Sequence, residues 1–151
     1  MTPADSSRPQ LAGPDAESRP WVSDLAGRLG LAHIVARKIR RDDRSVDIGF
    51  AEAALIAGRP VLLVDDIVSS GGTLMGCAKV LTAAGATAID AVMTHALFPS
   101  DMTAEFAKAG IRSVRSTSSV PHPTNVIPLD ELLAAALRRE LDGATFPETT
   151  T

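Results

Sequence analysis

The stretch Val61–Leu74 reads VLLVDDIVSSGGTL, and the rest of the chain is organised around it. Val61, Leu62, Leu63 and Val64 form a short apolar run of the kind that fills a buried central strand. Two adjacent carboxylates, Asp65 and Asp66, follow at once. Ser69-Ser70-Gly71-Gly72-Thr73 is then a small, hydroxyl-rich turn that opens into a helical pattern. A loop between a strand's carboxyl end and a helix N-terminus presents free backbone N–H groups, and the helix dipole favours an anion there. Gly71 and Gly72 allow close backbone approach, while Ser69, Ser70 and Thr73 add hydroxyl donors. Such a loop suits a phosphate monoester. The neighbouring carboxylates suit sugar hydroxyls or Mg2+. A phosphate and polyol site together points to a sugar phosphate. Small residues also join strands to helices where nothing binds, and the acid pair separates the two readings. Like charges side by side at a strand end are unfavourable unless something cationic or hydroxylic meets them.

LLVDDIVSSGGTL resembles the ribose-5-phosphate loop of the type I phosphoribosyltransferase fold, and most of all that of the ribose-phosphate diphosphokinases, which make phosphoribosyl diphosphate (PRPP). The resemblance joins a hydrophobic strand, paired acids and a hydroxyl/Gly loop in fixed order. It implies that Asp65, Asp66, Ser69, Ser70, Gly71, Gly72 and Thr73 bind ribose 5-phosphate, with Asp65 and Asp66 also candidate Mg2+ ligands.

The chain has 151 residues, enough for one compact domain with its own core. Apolar residues make up 45%, which places it among globular proteins. Aromatic residues are only 3% and Tyr is absent, so the core is built from Ala, Val, Leu and Ile, and stacking platforms for single-stranded nucleic acid are lacking. A net charge of −3 without a basic block also argues against a nucleic-acid partner. The single cysteine, Cys77, excludes an internal disulfide and reads as a small buried residue. No apolar run approaches the length of a membrane span, and the polar, Pro-rich N-terminus is unlike a signal peptide. The expectation is a soluble cytoplasmic protein.

Residues 1–10 (MTPADSSRPQ) are polar and expected to be disordered. Leu11-Ala12-Gly13 reads as a short strand. Gly13–Ser18 is a turn leading into a predicted helix, Arg19–Leu29, with Trp21, Val22, Leu25, Ala26 and Leu29 on one face and Gly30 as its stop. Asp15 and Ser18 suit helix capping. The turn also resembles the family's diphosphate loop, which implies a ligand role for Asp15. Where many members carry glycines after the Asp, this chain has Ala16 and Glu17. His33–Arg37 is extended and runs into Lys38–Arg44 (KIRRDDR), the densest charge cluster in the chain. By composition this is a solvated loop. By resemblance, Lys38 and Arg40 match the Lys-x-Arg of the family's mobile catalytic loop, which stabilises the transferring phosphoryl groups. Arg44 is a further helper.

Ser45–Ile48 reads as extended, and Phe50–Ile56 suits either strand or helix. Gly58-Arg59-Pro60 turns the chain into the central strand. Predicted elements follow at Thr73–Ala84 (helix), Ile89–Leu97 (strand), Asp101–Ala109 (helix), Ile111–Ser116 (strand) and Asn125–Ile127 (strand). Asp130–Leu141 is an amphipathic helix with Leu132, Leu133, Ala136 and Leu137 expected to face inward. Residues 142–151 are expected to fray. His95 reads as a packing or hydrogen-bonding residue. Thr117–His122 resembles a family turn that usually carries an acid where Ser118 stands, and reads as structural. The alternation of strands and helices gives an α/β, three-layer, mainly parallel sheet flanked by helices, in one domain over residues 11–141.

The resemblance runs from about Leu11 to Leu141 and corresponds to the second half of a ribose-phosphate diphosphokinase. It implies formation of PRPP and AMP from ribose 5-phosphate and ATP with Mg2+. The partner expected is a second copy of the chain or a protein supplying the missing N-terminal half. Two other readings stand beside it: a small phosphoribosyltransferase that consumes PRPP, and a non-catalytic ribose-phosphate-binding regulator.

Overall fold

The computed structural model describes residues 7–40 and 46–143, with the side chains of residues 38–40, 46, 47 and 53 outside the description. The expected disorder of residues 1–6 and 144–151 and the helper role of Arg44 lie outside the described residues.

Seven strands form a single sheet in the order β3-β2-β1-β4-β5-β6-β7. These are β1 (Gln10–Gly13), β2 (His33–Arg40), β3 (Val46–Phe50), β4 (Pro60–Val68), β5 (Ala88–Ala96), β6 (Ser113–Thr117) and β7 (Asn125–Ile127). All neighbouring pairs are parallel except β2 with β3. The helices are α1 (Arg19–Leu29), α2 (Gly72–Ala83), α3 (Met102–Lys108) and α4 (Asp130–Leu141), with a single 3-10 turn at Ala53–Leu55.

Side-chain alternation along β4 sorts the helices onto two faces. Val61 and Leu63 join a core cluster with Leu74, Cys77, Ala78 and Leu81 of α2 and Phe106 of α3. Leu62 and Val64 turn the other way, toward Val22 and Ala26 of α1. Three layers result, as the alternating pattern implies.

The central strand is longer than its apolar run suggests. It continues through both acids to Val68, because Asp65, Ile67 and Val68 pair with Met93, His95 and Ala96 of β5. Asp65 and Asp66 therefore sit within the last turns of a strand rather than in the loop after it. Gln10 is buried and opens β1, and Arg8 donates to the Leu29 carbonyl at 2.9 Å, so both are tied to the fold. On α1 the expected face is buried at Val22 and Ala26 and half-buried at Trp21 and Leu25, while Leu29 stays exposed. Gly30 ends the helix with φ 61°, the left-handed conformation that favours glycine.

Helix α4 departs from its prediction. Its boundaries match, yet none of its residues is buried. Leu132, Leu133 and Leu137, expected inside, are 66%, 57% and 58% exposed. Periodicity identifies which face of a helix is apolar but not what covers it. Here nothing within the described residues does.

Candidate active site

β1 lies between β2 and β4, and the chain leaves the carboxyl ends of β1 and β4 in opposite directions. After β1 it crosses to α1 on one face. After β4 it crosses to α2 on the other. Open α/β sheets bind ligands in the crevice made by such a reversal. Residues 14–18 and 69–71 are its two lips.

At the β4 lip, Gly71 caps α2 with φ 69°. A Cβ on Gly71 would meet the ring of Phe106 at 2.4 Å, so glycine is required there by conformation and by space. Gly72 is different. A Cβ there would touch nothing nearer than Ser70 Oγ at 3.8 Å, so the sequence expectation of close approach at both glycines holds sterically only at Gly71. The first intrahelical bond of α2 runs from Met75 N–H to the Gly71 carbonyl at 2.9 Å, which leaves the preceding amides of the helix directed at the loop. A cavity of about 160 Å³ sits there, lined by Asp65, Asp66, Ser69, Ser70, Gly71 and Thr73. Its wall brings together hydroxyls, a helix N-terminus and the acid pair, and Gly72 is not among its lining residues. It is smaller than the roughly 300–1,000 Å³ typical of drug-sized ligands, which fits one compact polar group.

Asp15 also lines this cavity, from the opposite lip. Its Oδ1 accepts the Ser18 N–H at 2.9 Å, and Ser18 Oγ donates to the Asp15 carbonyl at 2.6 Å. The residue thus stabilises the turn ahead of α1 while keeping its place at the cavity. Gly13 makes the turn possible, since a Cβ there would collide with Ser18 Oγ at 2.2 Å.

The acid pair is held locally. Asp66 N–H donates to Asp65 Oδ1 at 2.9 Å and Ile67 N–H to Asp66 Oδ1 at 2.8 Å. Asp65 is half-buried and Asp66 exposed. Burial, above all, pushes the Asp65 carboxyl up to about 7, with the Asp66 and Asp15 charges adding to the rise against the opposing Asp66 N–H bond. Cys77, on α2 behind the site, is buried and its thiol is pushed up to about 12, chiefly by burial and then by Asp65 and Asp15. It is a packing residue, as its sequence context suggests.

A second cavity, of about 500 Å³, adjoins the first and shares Asp15 and Thr73 with it. Its other walls include Glu17, Arg37 and Ile48. Arg37 was not singled out by sequence reasoning. It hides at the start of the charge cluster, and only the fold sets it across from Asp15. Lys38 and Arg40 follow it in β2, where their backbones pair with Ile48 and Val46 of β3. Lys38–Arg40 is therefore strand paired antiparallel with β3 rather than loop, while the rest of the charge cluster, 41–44, lies outside the described residues. β1 pairs with β2 only over His33–Val35, so this antiparallel pair extends beyond the parallel sheet at the carboxyl edge, beside the second cavity.

His95 stands off the cavities and hydrogen-bonds to Ser119 Oγ at 2.9 Å, while Ser119 donates to the Thr94 carbonyl at 2.7 Å. Ser118 Oγ accepts the Leu129 N–H at 3.0 Å. Both contacts fit the structural reading of that turn.

Residues 1–131 match the family model described as the phosphoribosyl transferase domain. The chain belongs to the phosphoribosyl transferase domain family. Among curated relatives, it is 30% identical over 127 residues to ribose-phosphate pyrophosphokinase 1 of Archaeoglobus fulgidus, covering 84% of this chain and 44% of that protein. It is also 30% identical over 127 residues to the ribose-phosphate pyrophosphokinase of Methanopyrus kandleri, covering 84% and 43%. The chain thus spans less than half the length of these relatives. The fold is similar to that of phosphoribosylpyrophosphate synthetase from Mycobacterium smegmatis, with a TM-score of 0.71 at 22% identity over 89% of this chain and 45% of that one. It is also similar to adenine phosphoribosyltransferase from Saccharomyces cerevisiae, with a TM-score of 0.55 at 17% identity over 72% and 67%. The mainly parallel sheet flanked by helices is therefore that of the type I phosphoribosyltransferases. Among the described residues, no helix is long and apolar enough to cross a membrane.

Proposed function

We propose that this phosphoribosyl transferase domain binds ribose 5-phosphate between β4 and α2 and transfers diphosphate to it from ATP, forming PRPP and AMP. One observation carries the reading. The small cavity of hydroxyls, helix amides and paired acids shares the Asp15 and Thr73 walls with the larger one. A sugar phosphate in the first would present its anomeric end toward a polyphosphate in the second.

In this reading the α2 amides, Ser69, Ser70 and Thr73 hold the 5-phosphate. Asp65 and Asp66 accept hydrogen bonds from the ribose hydroxyls and fix the ring. The anomeric oxygen attacks the β-phosphorus of ATP. The new O–P bond forms as the bond from that phosphorus to the α–β bridging oxygen breaks, and AMP leaves. Catalysis of such a step rests on positioning and charge stabilisation. Lys38, Arg40 and Arg37 are the cations suited to that task, Arg37 from the wall of the second cavity.

Asp65 and Asp66 fit Mg2+, because it takes oxygen ligands and is commonly held by one or two carboxylates together with substrate phosphates. Bound there, Mg2+ would supply neutralising charge to the phosphates.

The relatives named ribose-phosphate pyrophosphokinase are more than twice as long as the matched segment. In this reading the matched segment supplies the ribose-phosphate end of the site, and the remainder of the ATP site corresponds to the part of those relatives that the segment does not match.

The test is AMP and PRPP formation by the purified chain from ATP and ribose 5-phosphate with Mg2+, with a Lys38→Ala/Arg40→Ala variant as control. Turnover lost in the control supports the reading. Absence of turnover with ribose 5-phosphate still bound overturns autonomous synthesis and favours a regulator or half of a divided enzyme.

A further inference from the structure

We infer, resting on the function proposed above, that Ile48 and Gly76 are positioning residues. Their contact seats the β2–β3 pair on α2 and so sets where the backbone of Arg37, Lys38 and Arg40 stands beside the second cavity.

The topology leaves this position open. β3 is the edge of the sheet, and β1 pairs with β2 only over His33–Val35. From Ala36 onward the ladder of β2 is with β3 alone. Sheet bonds therefore fix the two strands to each other and leave their lean over the crevice to whatever packs on their faces. Phe50 roots β3 in the main core. Ile48, nearer the free end, packs against the same core and lines the second cavity.

The receiving surface is on α2. A Cβ on Gly76 would lie 2.7 Å from Ile48 Cδ1, so the glycine leaves the space that the isoleucine fills. Glycine weakens a helix interior, and this close approach accounts for it here. Gly76 follows Thr73 by one turn on the same side of the helix, and Thr73 lines both cavities. The next residue, Cys77, donates from Sγ to the Pro14 carbonyl at 3.6 Å. Consecutive residues of α2 thus support both sides of the second cavity, Ile48 on one and Pro14 on the other. Across the ladder, Arg37 pairs with Gly49 and Lys38 with Ile48. Packed contacts leave no slack for a large added side chain, so bulk at position 76 lifts Ile48 and carries the backbone of these cations with it.

The test compares Gly76→Leu, Ile48→Ala and the two combined in the full chain, with far-UV circular dichroism and thermal unfolding confirming the fold. Leucine is a strong helix former, so Gly76→Leu should keep α2 intact. Should that variant unfold, Ile48→Ala carries the comparison. Amide hydrogen exchange without ligand should rise over residues 36–40 and 46–50 in each single variant. It should fall back in the combined variant, which moves the apolar bulk from β3 to α2. Affinity for inorganic diphosphate with Mg2+ should drop roughly tenfold in each single variant, the scale of one misplaced charge-assisted hydrogen bond, and recover in the combination. Ribose 5-phosphate affinity should stay within about twofold throughout. Unchanged exchange in the single variants, a combination no better than either, or equal losses for both ligands overturns the inference. A wild type that binds neither ligand overturns the function proposed above and the positioning role with it. A wild type that binds both, with diphosphate affinity untouched by the single substitutions, overturns the positioning role alone.

Discussion

The ring of Phe106 lies so close to Gly71 that a Cβ added to the glycine would meet its Cε1 at 2.4 Å. Phe106 is fully buried and packs edge-on against Phe98, with ring centroids 5.0 Å apart, so it has little room to yield. The β4–α2 loop is thereby clamped from below by the core. Gly71 also sits at φ 69°, where an L side chain is strained. Gly71→Ala should lower stability by roughly 2–4 kcal/mol in urea unfolding and weaken ribose 5-phosphate binding. Gly72→Ala is the contrasting variant. It lies in the first turn of α2 with open space around it, and should change stability by no more than about 1 kcal/mol, toward higher stability. Equal losses from the two substitutions would show that the clamp is not what the loop depends on.

This contrast marks what was legible in the sequence. The β4–α2 segment could be read because its cues are local: an apolar run, two acids, small residues and a helical period in direct succession. The three-layer, mainly parallel sheet could be read from element alternation. Other features depend on residues distant along the chain. The ladder with β5 carries β4 past its acids, and the ladder with β3 draws Lys38–Arg40 into a strand. The burial and the Asp15 charge that raise Asp65 come from the assembled crevice. Arg37 carries no signal apart from its neighbours until Asp15 and Thr73 are brought across from it. The outward leucines of α4 satisfy the same period as inward ones.

Arg37 gives a selective prediction. It lines the larger cavity and does not line the smaller one. Arg37→Ala should weaken binding of ATP or PRPP by roughly tenfold, the scale of one charge-assisted hydrogen bond. Ribose 5-phosphate affinity should stay within about twofold of the unsubstituted chain. Isothermal titration with each ligand separates the two effects. Equal loss for both would place Arg37 in general folding or long-range steering instead.

At the opposite end of β5 the chemistry is structural. Arg112 Nη2 donates to Asp90 Oδ2 at 2.5 Å and Nε to Oδ1 at 3.1 Å, while Ser113 Oγ donates to the same Oδ1 at 2.6 Å. These bonds, led by that from Arg112, hold the Asp90 carboxyl below its usual range. A depressed carboxyl stabilises the fold above its unfolded pKa and loses that contribution as pH falls through the folded value. Arg112→Met should therefore cost stability at neutral pH, and the cost should vanish in acid. Because Arg112 is exposed and solvent screens the pair, the cost should be small by urea unfolding.

Asp65 carries the opposite sign. Its carboxyl is raised from 3.8 to about 7, so between those values the folded chain holds a proton that the unfolded chain has released. Stability contributed this way is complete below the unfolded pKa and is lost as pH rises through about 7. The ionised carboxylate faces Asp66 and Asp15 with its burial only partly offset by the Asp66 N–H. Asp65→Asn removes the titration, so it should match the wild type below about pH 4 and exceed it above about pH 8. The partial exposure of Asp65 screens much of the penalty, which puts the alkaline gain on the order of 1 kcal/mol. Urea unfolding across that range reads the difference directly. Ligands that need the carboxylate ionised should show the complementary slope. Ribose 5-phosphate binding with Mg2+ should strengthen as pH rises through 7 in the wild type, and the Asn variant should lose both the slope and most of the affinity. A pH-independent stability difference between the two would place the raised carboxyl elsewhere, and a binding slope that persisted in the Asn variant would assign the ligand's proton to another group.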